Sequence, residues 1–278
     1  MMVSGRRYWN RLSLFGLAAI VLLPFVNPAD GSSSPREDKS LPSGAVRISG
    51  DITRRMATAL APLLATGQVR ELIVNSFGGD ETSALQIAQQ IRQRHIDIVV
   101  DGVCAGACAS YIFVAGINRT LQPDSAVIFS DTSSSLIDLG AQDLKPGLSG
   151  YRDNDRQARQ LYQLAGVDPT LLLQPQIEMA TSCYGAPSLP GTPISYSSRF
   201  SGWVPTLDYL NAIGVRIGGH WPTTPDDFQR MWRKNFVGAH RRGSIAIGRN
   251  VQRAIASQAA AELHRIPRCG TTSGPTPL

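Results

Sequence analysis

The sequence predicts an α/β domain, a parallel sheet whose strands are joined by crossover helices, preceded by an N-terminal signal or anchor segment. Three observations predict it. Short apolar, β-branched runs such as Leu72-Ile73-Val74 alternate with stretches of helical period. The helical stretches begin at capping residues and close near glycine, so each unit reads strand, helix, strand, which requires parallel pairing. An arginine-flanked apolar run precedes all of this and is separated from it by a Ser/Pro-rich stretch.

Taken in order, Arg6, Arg7 and Arg11 precede the apolar run 12–26, a secretory signal or a short signal anchor. The run falls short of the ~20 residues that span a bilayer, which favours cleavage. The lack of a clean small-x-small site favours an anchor, with Ala29-Asp30-Gly31 the best cleavage candidate. Both readings put the folded part outside the cytoplasm, periplasmic or secreted, with the membrane touched only through residues 1–30. Residues 31–44 read as a linker.

Residues 45–52 suit a strand, and Met56, Leu60, Leu63 and Leu64 make one helical face ending near Gly67. Residues 71–75 form a buried strand that stops at Gly78-Gly79. Asp80 caps a helix with Ala84, Ile87, Ala88 and Ile91 inside. Strands at 96–100 and 125–129 enclose a small-residue helix at 105–115. A polar loop follows to about Gly150, then an amphipathic helix marked by Ala158, Leu161, Tyr162 and Ala165. Residues 183–202, rich in Gly, Pro and Ser, read as a loop insertion. Trp203-Val204-Pro205-Thr206 opens another helix, with Thr206 as its cap, Leu207, Leu210 and Ile213 inside, and Gly214 at its end. Thr224-Pro225-Asp226-Asp227 is a strong helix start, and Phe228, Met231 and Trp232 make an apolar stripe for the core or a partner subunit. The domain therefore covers 45–215, with 216–278 a C-terminal helical extension.

The formal charge of +6 comes from 27 basic and 21 acidic residues and is not organised on a face with aromatic readers, which argues against nucleic acid. Cys104, Cys108, Cys183 and Cys269 are an even number in an oxidising compartment, so one or two disulfides are expected, with the connectivity open. A zinc site lacks a second ligand pair at matching spacing, and the four histidines are scattered. No metal and no cofactor are expected.

Chemistry concentrates at Asn75-Ser76-Phe77-Gly78-Gly79-Asp80 and at Gly102-Val103-Cys104-Ala105-Gly106-Ala107-Cys108-Ala109-Ser110. Glycines closing a strand let backbone N–H groups turn toward a carbonyl oxygen, the geometry of an oxyanion hole, here with Gly78, Gly79 and Ala107 as donors. Together with Ala115-Gly116, Arg119 and the run 125–129, these motifs resemble the Clp protease proteolytic subunit superfamily (the ClpP/crotonase superfamily), and more closely its extracytoplasmic bacterial members. The resemblance covers roughly 45–215. It implies self-association and a peptide or protein partner. It also implies a serine at position 106 and a histidine at position 130, where this chain has Gly106 and Ser130, and Phe77 stands where proline is usual. A serine is a nucleophile only when an imidazole takes its proton, so the expected protein is a catalytically degenerate binding or assembly module.

Two rivals remain. Ser110 or Cys108, the nearest hydroxyl and thiol on the same helix, would serve as a rearranged nucleophile in an active peptidase, although Ser110 reads more simply as a buried hydroxyl bonded to a carbonyl one turn back. The glycine turn at 102–107 also resembles that of crotonase-type acyl-thioester enzymes, against which stands the export signal. Asp131-Thr132-Ser133-Ser134 reads as an ordinary turn, with Asp131 an acid near the hole, and His95 as a helix-terminal residue.

Overall fold

In the computed structural model, which describes residues 41–138, 148–179, 181–184, 195–236 and 245–248, the chain enters through β1 (Ala45–Ser49), crosses by α1 (Arg54–Ala65) to β2 (Glu71–Ser76), and by α2 (Glu81–Arg94) to β3 (Asp97–Ala105). Both strand pairs are parallel, with Val46 opposite Leu72 and Leu72 opposite Ile98. The caps are local: Thr53 Oγ1 accepts from Met56 N at 3.2 Å, and Asp80 Oδ1 from Ser83 N at 2.8 Å. Each satisfies an N–H that the first helical turn leaves open. Leu60, Leu72, Val74, Leu85, Ile91, Ile98 and Val100 are fully buried where the helices cover the sheet. The alternation of strands and crossover helices expected from the sequence is the architecture observed.

β3 runs further than the expected 96–100 because it serves two neighbours. Residues 98–100 pair in parallel with β4 (Arg119–Leu121), a strand the sequence did not announce, and residues 103–105 pair with β5 (Ala126–Ile128). The change of partner falls at Gly102, where φ is +120° and a Cβ would lie 2.5 Å from Asn75 Oδ1. Side chains replace the missing ladder bonds there: Ser125 Oγ accepts from Gly102 N and Asn75 Oδ1 from Val103 N, both at 3.0 Å.

The expected helix at 105–115 begins later and is wound as a π-helix over Cys108–Phe113. Its C-terminal carbonyls are held by Arg119, whose Nε donates to Phe113 O at 3.0 Å and Nη2 to Val114 O at 2.5 Å. That guanidinium is 6% exposed. Burial, and then the nearby Arg92 charge, pulls its pKa down to about 10.

Beyond Ser130 the structure departs from several expectations. The polar loop contains a short helix, α3 (Ser133–Asp138), before α4 (Leu148–Ala165). A 3-10 turn (Pro169–Leu172) and α5 (Gln174–Glu178) lead to β6 (Thr181–Tyr184), which pairs antiparallel with β7 (Ser195–Ser198), so the segment read as a loop insertion carries a hairpin. Trp203 and Val204, just ahead of the expected cap, lie in a strand the sequence did not announce, β8 (Gly202–Val204). Trp203 is fully buried and exchanges both backbone bonds with Phe129, at 2.7 and 2.8 Å, a long-range bridge that sets its conformation. Helix α6 (Leu207–Ala212) then starts from the Thr206 cap.

The segment after 215, expected to be helical, also supplies strands. β9 (Gly218–Gly219) joins the main sheet beside β4, and β10 (Ile245–Ile247) pairs in parallel with β8. Between them runs α7 (Pro225–Phe236), capped reciprocally, since Thr224 Oγ1 accepts from Asp227 N and Asp227 Oδ2 from Thr224 N. Met231 and Phe228 pack on the domain's own core, so this pair is not a free face for a partner; the side chain of Trp232 lies outside the described residues. The charged run 6–11, the apolar run 12–26 and residues to 40 are likewise outside them. Among the described residues no helix is long and apolar enough to cross a membrane.

Candidate functional site

The site lies where three strand-to-helix junctions meet. The first is the β2–α2 turn. Ile52 N donates to Gly78 O at 2.7 Å and Asp80 N to Ile52 O at 2.8 Å, which draws the β1–α1 connection against Gly79 so tightly that a Cβ there would sit 2.3 Å from Ile52 O. Gly78 is packed equally closely on the second junction, since its Cβ would meet Ala105 O at 2.7 Å and Ala107 N at 3.2 Å. The third is Ser130, which follows β5. A Cβ added at Gly106 would lie 3.3 Å from Ser130 Oγ and 3.7 Å from Phe77 O. The positions where the resemblance places a nucleophile and a base are therefore side by side, and they hold a glycine and a hydroxyl.

Among the described residues the N–H groups of Gly79 and Ala107 have no hydrogen-bond partner. The Gly78 N–H, counted with them from the sequence, is taken: it donates to Ser76 Oγ at 3.1 Å. Two donors remain from the expected three. A cleft of about 490 Å³ opens beside them, lined by Asp51, Thr53, Arg54, Phe77, Gly79 and Asp80 among others. Gly79 lines that cleft, and Ala107 N lies 3.2 Å from the Cβ position of Gly78, which lines it too; N–H groups without partners suit an oxygen bearing partial or full negative charge.

The fallback nucleophiles are closed off. Cys108 is bonded to Cys104, with both residues fully buried, so the thiol that a rearranged mechanism needs is absent. Ser110 is also fully buried. Its N–H donates to Gly106 O at 2.9 Å and its carbonyl accepts from the Tyr162 hydroxyl at 3.0 Å. The Ser110 Oγ, expected to bond a carbonyl one turn back, has no partner among the described residues. Cys183 lies in β6 with its side chain undescribed, and Cys269 lies outside the described residues.

Asp131 is exposed, and the stretch read as a turn is the start of α3. Thr132 N donates to Ser135 Oγ at 3.0 Å and Ser135 N to Thr132 Oγ1 at 3.2 Å, a capping box built from two hydroxyls. His95 ends α2 in the left-handed conformation, φ +56°. His220 Nε2 stands 3.3 Å from Asp227 Oδ1 at the head of α7, while His240 and His264 fall outside the described residues.

Glu81 is the residue that sequence reasoning missed. It stands in the first turn of α2, where an acid merely suits the helix dipole. In three dimensions its carboxylate gathers all three junctions. Tyr111 of the π-helix donates its hydroxyl to Glu81 Oε1. The backbone N–H of Ser133, at the start of α3, donates to the same oxygen at 3.0 Å, and Ser133 Oγ donates to Oε2 at 2.5 Å. Asn154 of α4 extends the network, its Nδ2 3.5 Å from Ser133 Oγ and its Oδ1 accepting from Thr82 Oγ1 at 3.1 Å. Burial first, and then the Glu81 charge, pushes the Tyr111 pKa well above the usual phenol value, so it stays a donor. The partners are 30 and 52 positions away, and nothing local to Glu81 announces them. Among the described residues no group of His, Cys, Asp and Glu is placed to hold a metal ion.

No family model and no curated protein matches the chain. Among solved structures it is similar to a ClpP1 mutant from Listeria monocytogenes, at 19% identity and a TM-score of 0.33, over 44% of this chain and 72% of that one.

Proposed function

We propose that this chain is an exported Clp-protease-like protein that does not hydrolyse peptides and instead binds an acyl or carboxylate oxygen of an extended peptide at the Gly79 and Ala107 N–H groups. The observation that carries the reading is the contact between the Cβ position of Gly106 and Ser130 Oγ at 3.3 Å, beside two N–H groups without partners. Nucleophile and base would stand there together, and neither is present. Hydrogen bonds from a rigid backbone cost no reorganisation and keep their value as a binding device after the chemistry is lost. The same pair would accept an acyl-thioester carbonyl, but the arginine-flanked N-terminus and the Cys104–Cys108 disulfide both favour a compartment without such substrates.

Titration of the protein with an N-acetylated tripeptide tests this, once as the free acid and once as the carboxamide, read by amide NMR. The acid should shift Gly79 and Ala107 together and the carboxamide should shift them less. No shift at either residue with both peptides rules the reading out. A fluorophosphonate probe should leave the wild type unlabelled. Fusion of residues 1–45 to alkaline phosphatase tests export, and an inactive fusion excludes it. Self-association is part of the proposal through a surface other than Phe228 and Met231, and light scattering showing a monomer at micromolar concentration removes it.

A further inference from the structure

We propose that Glu81 is the positioning residue of this cleft, a single carboxylate that sets where the Ala107 N–H and Ser130 stand relative to Gly79. The inference rests on the binding reading for its purpose, and on geometry for its substance. Gly79 is followed directly by the Asp80 cap and Glu81, Ala107 directly precedes the π-helix that carries Tyr111, and Ser130 is three residues before Ser133. Each junction is thus joined by a short piece of backbone to one group that bonds the same carboxylate. Tyr111 and Ser133 are 1% and 0% exposed, so the donors are shielded from water, while the Glu81 carboxylate that receives them is half-buried. Charge-assisted bonds to a carboxylate are about twice as strong as neutral ones.

The sheet also holds the junctions, through the β3–β5 pairing and the bond from Gly106 N to Ile128 O at 2.9 Å, so Glu81 acts on the helical side of each junction. Helix α3 is short, and Thr132 before it and Ser133, Ser134 and Ser135 in its first turn are all buried. The Ser134 hydroxyl has no partner among the described residues. Thr132 and Ser135 are occupied with each other, with Leu172 O at 2.9 Å, and with Gln176 Nε2 at 3.2 Å, contacts that fix the far side of α3. Toward the cleft it is Ser133 that meets Glu81. Without the carboxylate, the π-helix and α3 keep the β3–β5 pairing behind them but lose the side-chain link that joins them to α2.

The test uses the full-length chain with Glu81→Gln, Glu81→Ala, Tyr111→Phe and Ser133→Ala, read in two ways. Amide NMR without ligand is the first. Tyr111→Phe should move the Ser130 resonance and Ser133→Ala the Ala107 resonance, each read on the element that was not altered, and Glu81→Gln should move both. Shifts confined to the altered residue's own element overturn the proposal, and the two single-arm variants carry the test even where Glu81→Ala fails to fold.

Binding of the N-acetylated tripeptide acid is the second reading. Glu81→Gln should weaken it about tenfold, the worth of one charge-assisted bond. Unchanged affinity in Glu81→Gln overturns the positioning role. If the wild type binds no peptide while the cross-element shifts occur, the binding reading fails and the positioning of the three junctions stands.

Discussion

Replacement of Gly79 by alanine should cost far more than the same replacement at Gly67, and the difference measures how tightly the β1–α1 connection is drawn onto the cleft. Both glycines have positive φ, +140° and +71°, so both substitutions force a Cβ into a conformation that L residues avoid. At Gly67 nothing lies within 4 Å of the new Cβ, and the whole cost is conformational, about 1 kcal/mol. At Gly79 the Cβ would stand 2.3 Å from Ile52 O and 2.8 Å from Ile52 N. Relief requires the Ile52 backbone to retreat by about 1 Å, an ordinary contact distance being about 3.5 Å. That movement breaks the bonds from Ile52 N to Gly78 O and from Asp80 N to Ile52 O. Two buried backbone bonds at about 1 kcal/mol each, added to the conformational strain, give at least about 3 kcal/mol.

Urea unfolding followed by circular dichroism is the assay. With a slope of about 3 kcal/mol/M, the midpoint should fall by about 1 M for Gly79→Ala and about 0.3 M for Gly67→Ala, at unchanged slope. Equal midpoints for the two variants would refute the argument, because they would show that the Gly78-Gly79 turn has room the structure denies it.

Three further outcomes are expected. The double variant Gly106→Ser with Ser130→His should hydrolyse p-nitrophenyl acetate about 100-fold faster than wild type, while each single variant stays at the wild-type rate. A folded double variant without activity would show that the hole is misaligned for chemistry. Reducing the Cys104–Cys108 bond opens a very short loop and should lower stability by about 2 kcal/mol, read as a lower thermal midpoint in the presence of dithiothreitol; no change on complete reduction contradicts this. Asp227 accepts from Thr223 N and Thr224 N at 3.0 and 2.9 Å, which holds its carboxyl well below the usual carboxylate range. A depressed folded-state pKa contributes stability above the unfolded value of about 3.9 and loses it as pH falls below that. The stability gap between wild type and Asp227→Asn should therefore be full at pH 6 and narrow toward pH 2, and a gap that widens in acid would reverse the assignment.

What the sequence determined by itself is what the backbone settles within a turn or two. Asp80, Thr206 and Thr224 were legible as caps because their hydrogen bonds reach only to the third residue on. The strands at 71–75 and 125–129 were legible from their apolar β-branched runs, and the parallel sheet followed from short strand-helix-strand units, whose crossover is the connection that parallel pairing needs. Gly78 and Gly79 stood out for the same kind of reason, at the junction between a strand and a helix, whereas Gly106 and Ser130 were marked only by the family resemblance.

Tertiary structure decided what depended on partners far along the chain. Trp203 took a strand position because Phe129 offered it a bridge, β3 outgrew its apolar run because two strands came to share it, and Phe228 and Met231 turned inward because the core was there to receive them. The Gly78 N–H, an equal member of the donor set in sequence, was claimed by Ser76 Oγ once the turn closed. Glu81 illustrates the limit most sharply. Its place in a helix's first turn is fixed by its neighbours, whereas its three bonds join elements whose approach is set by the closure of two crossover units, and a carboxylate carries no local mark of the donors that closure will bring to it.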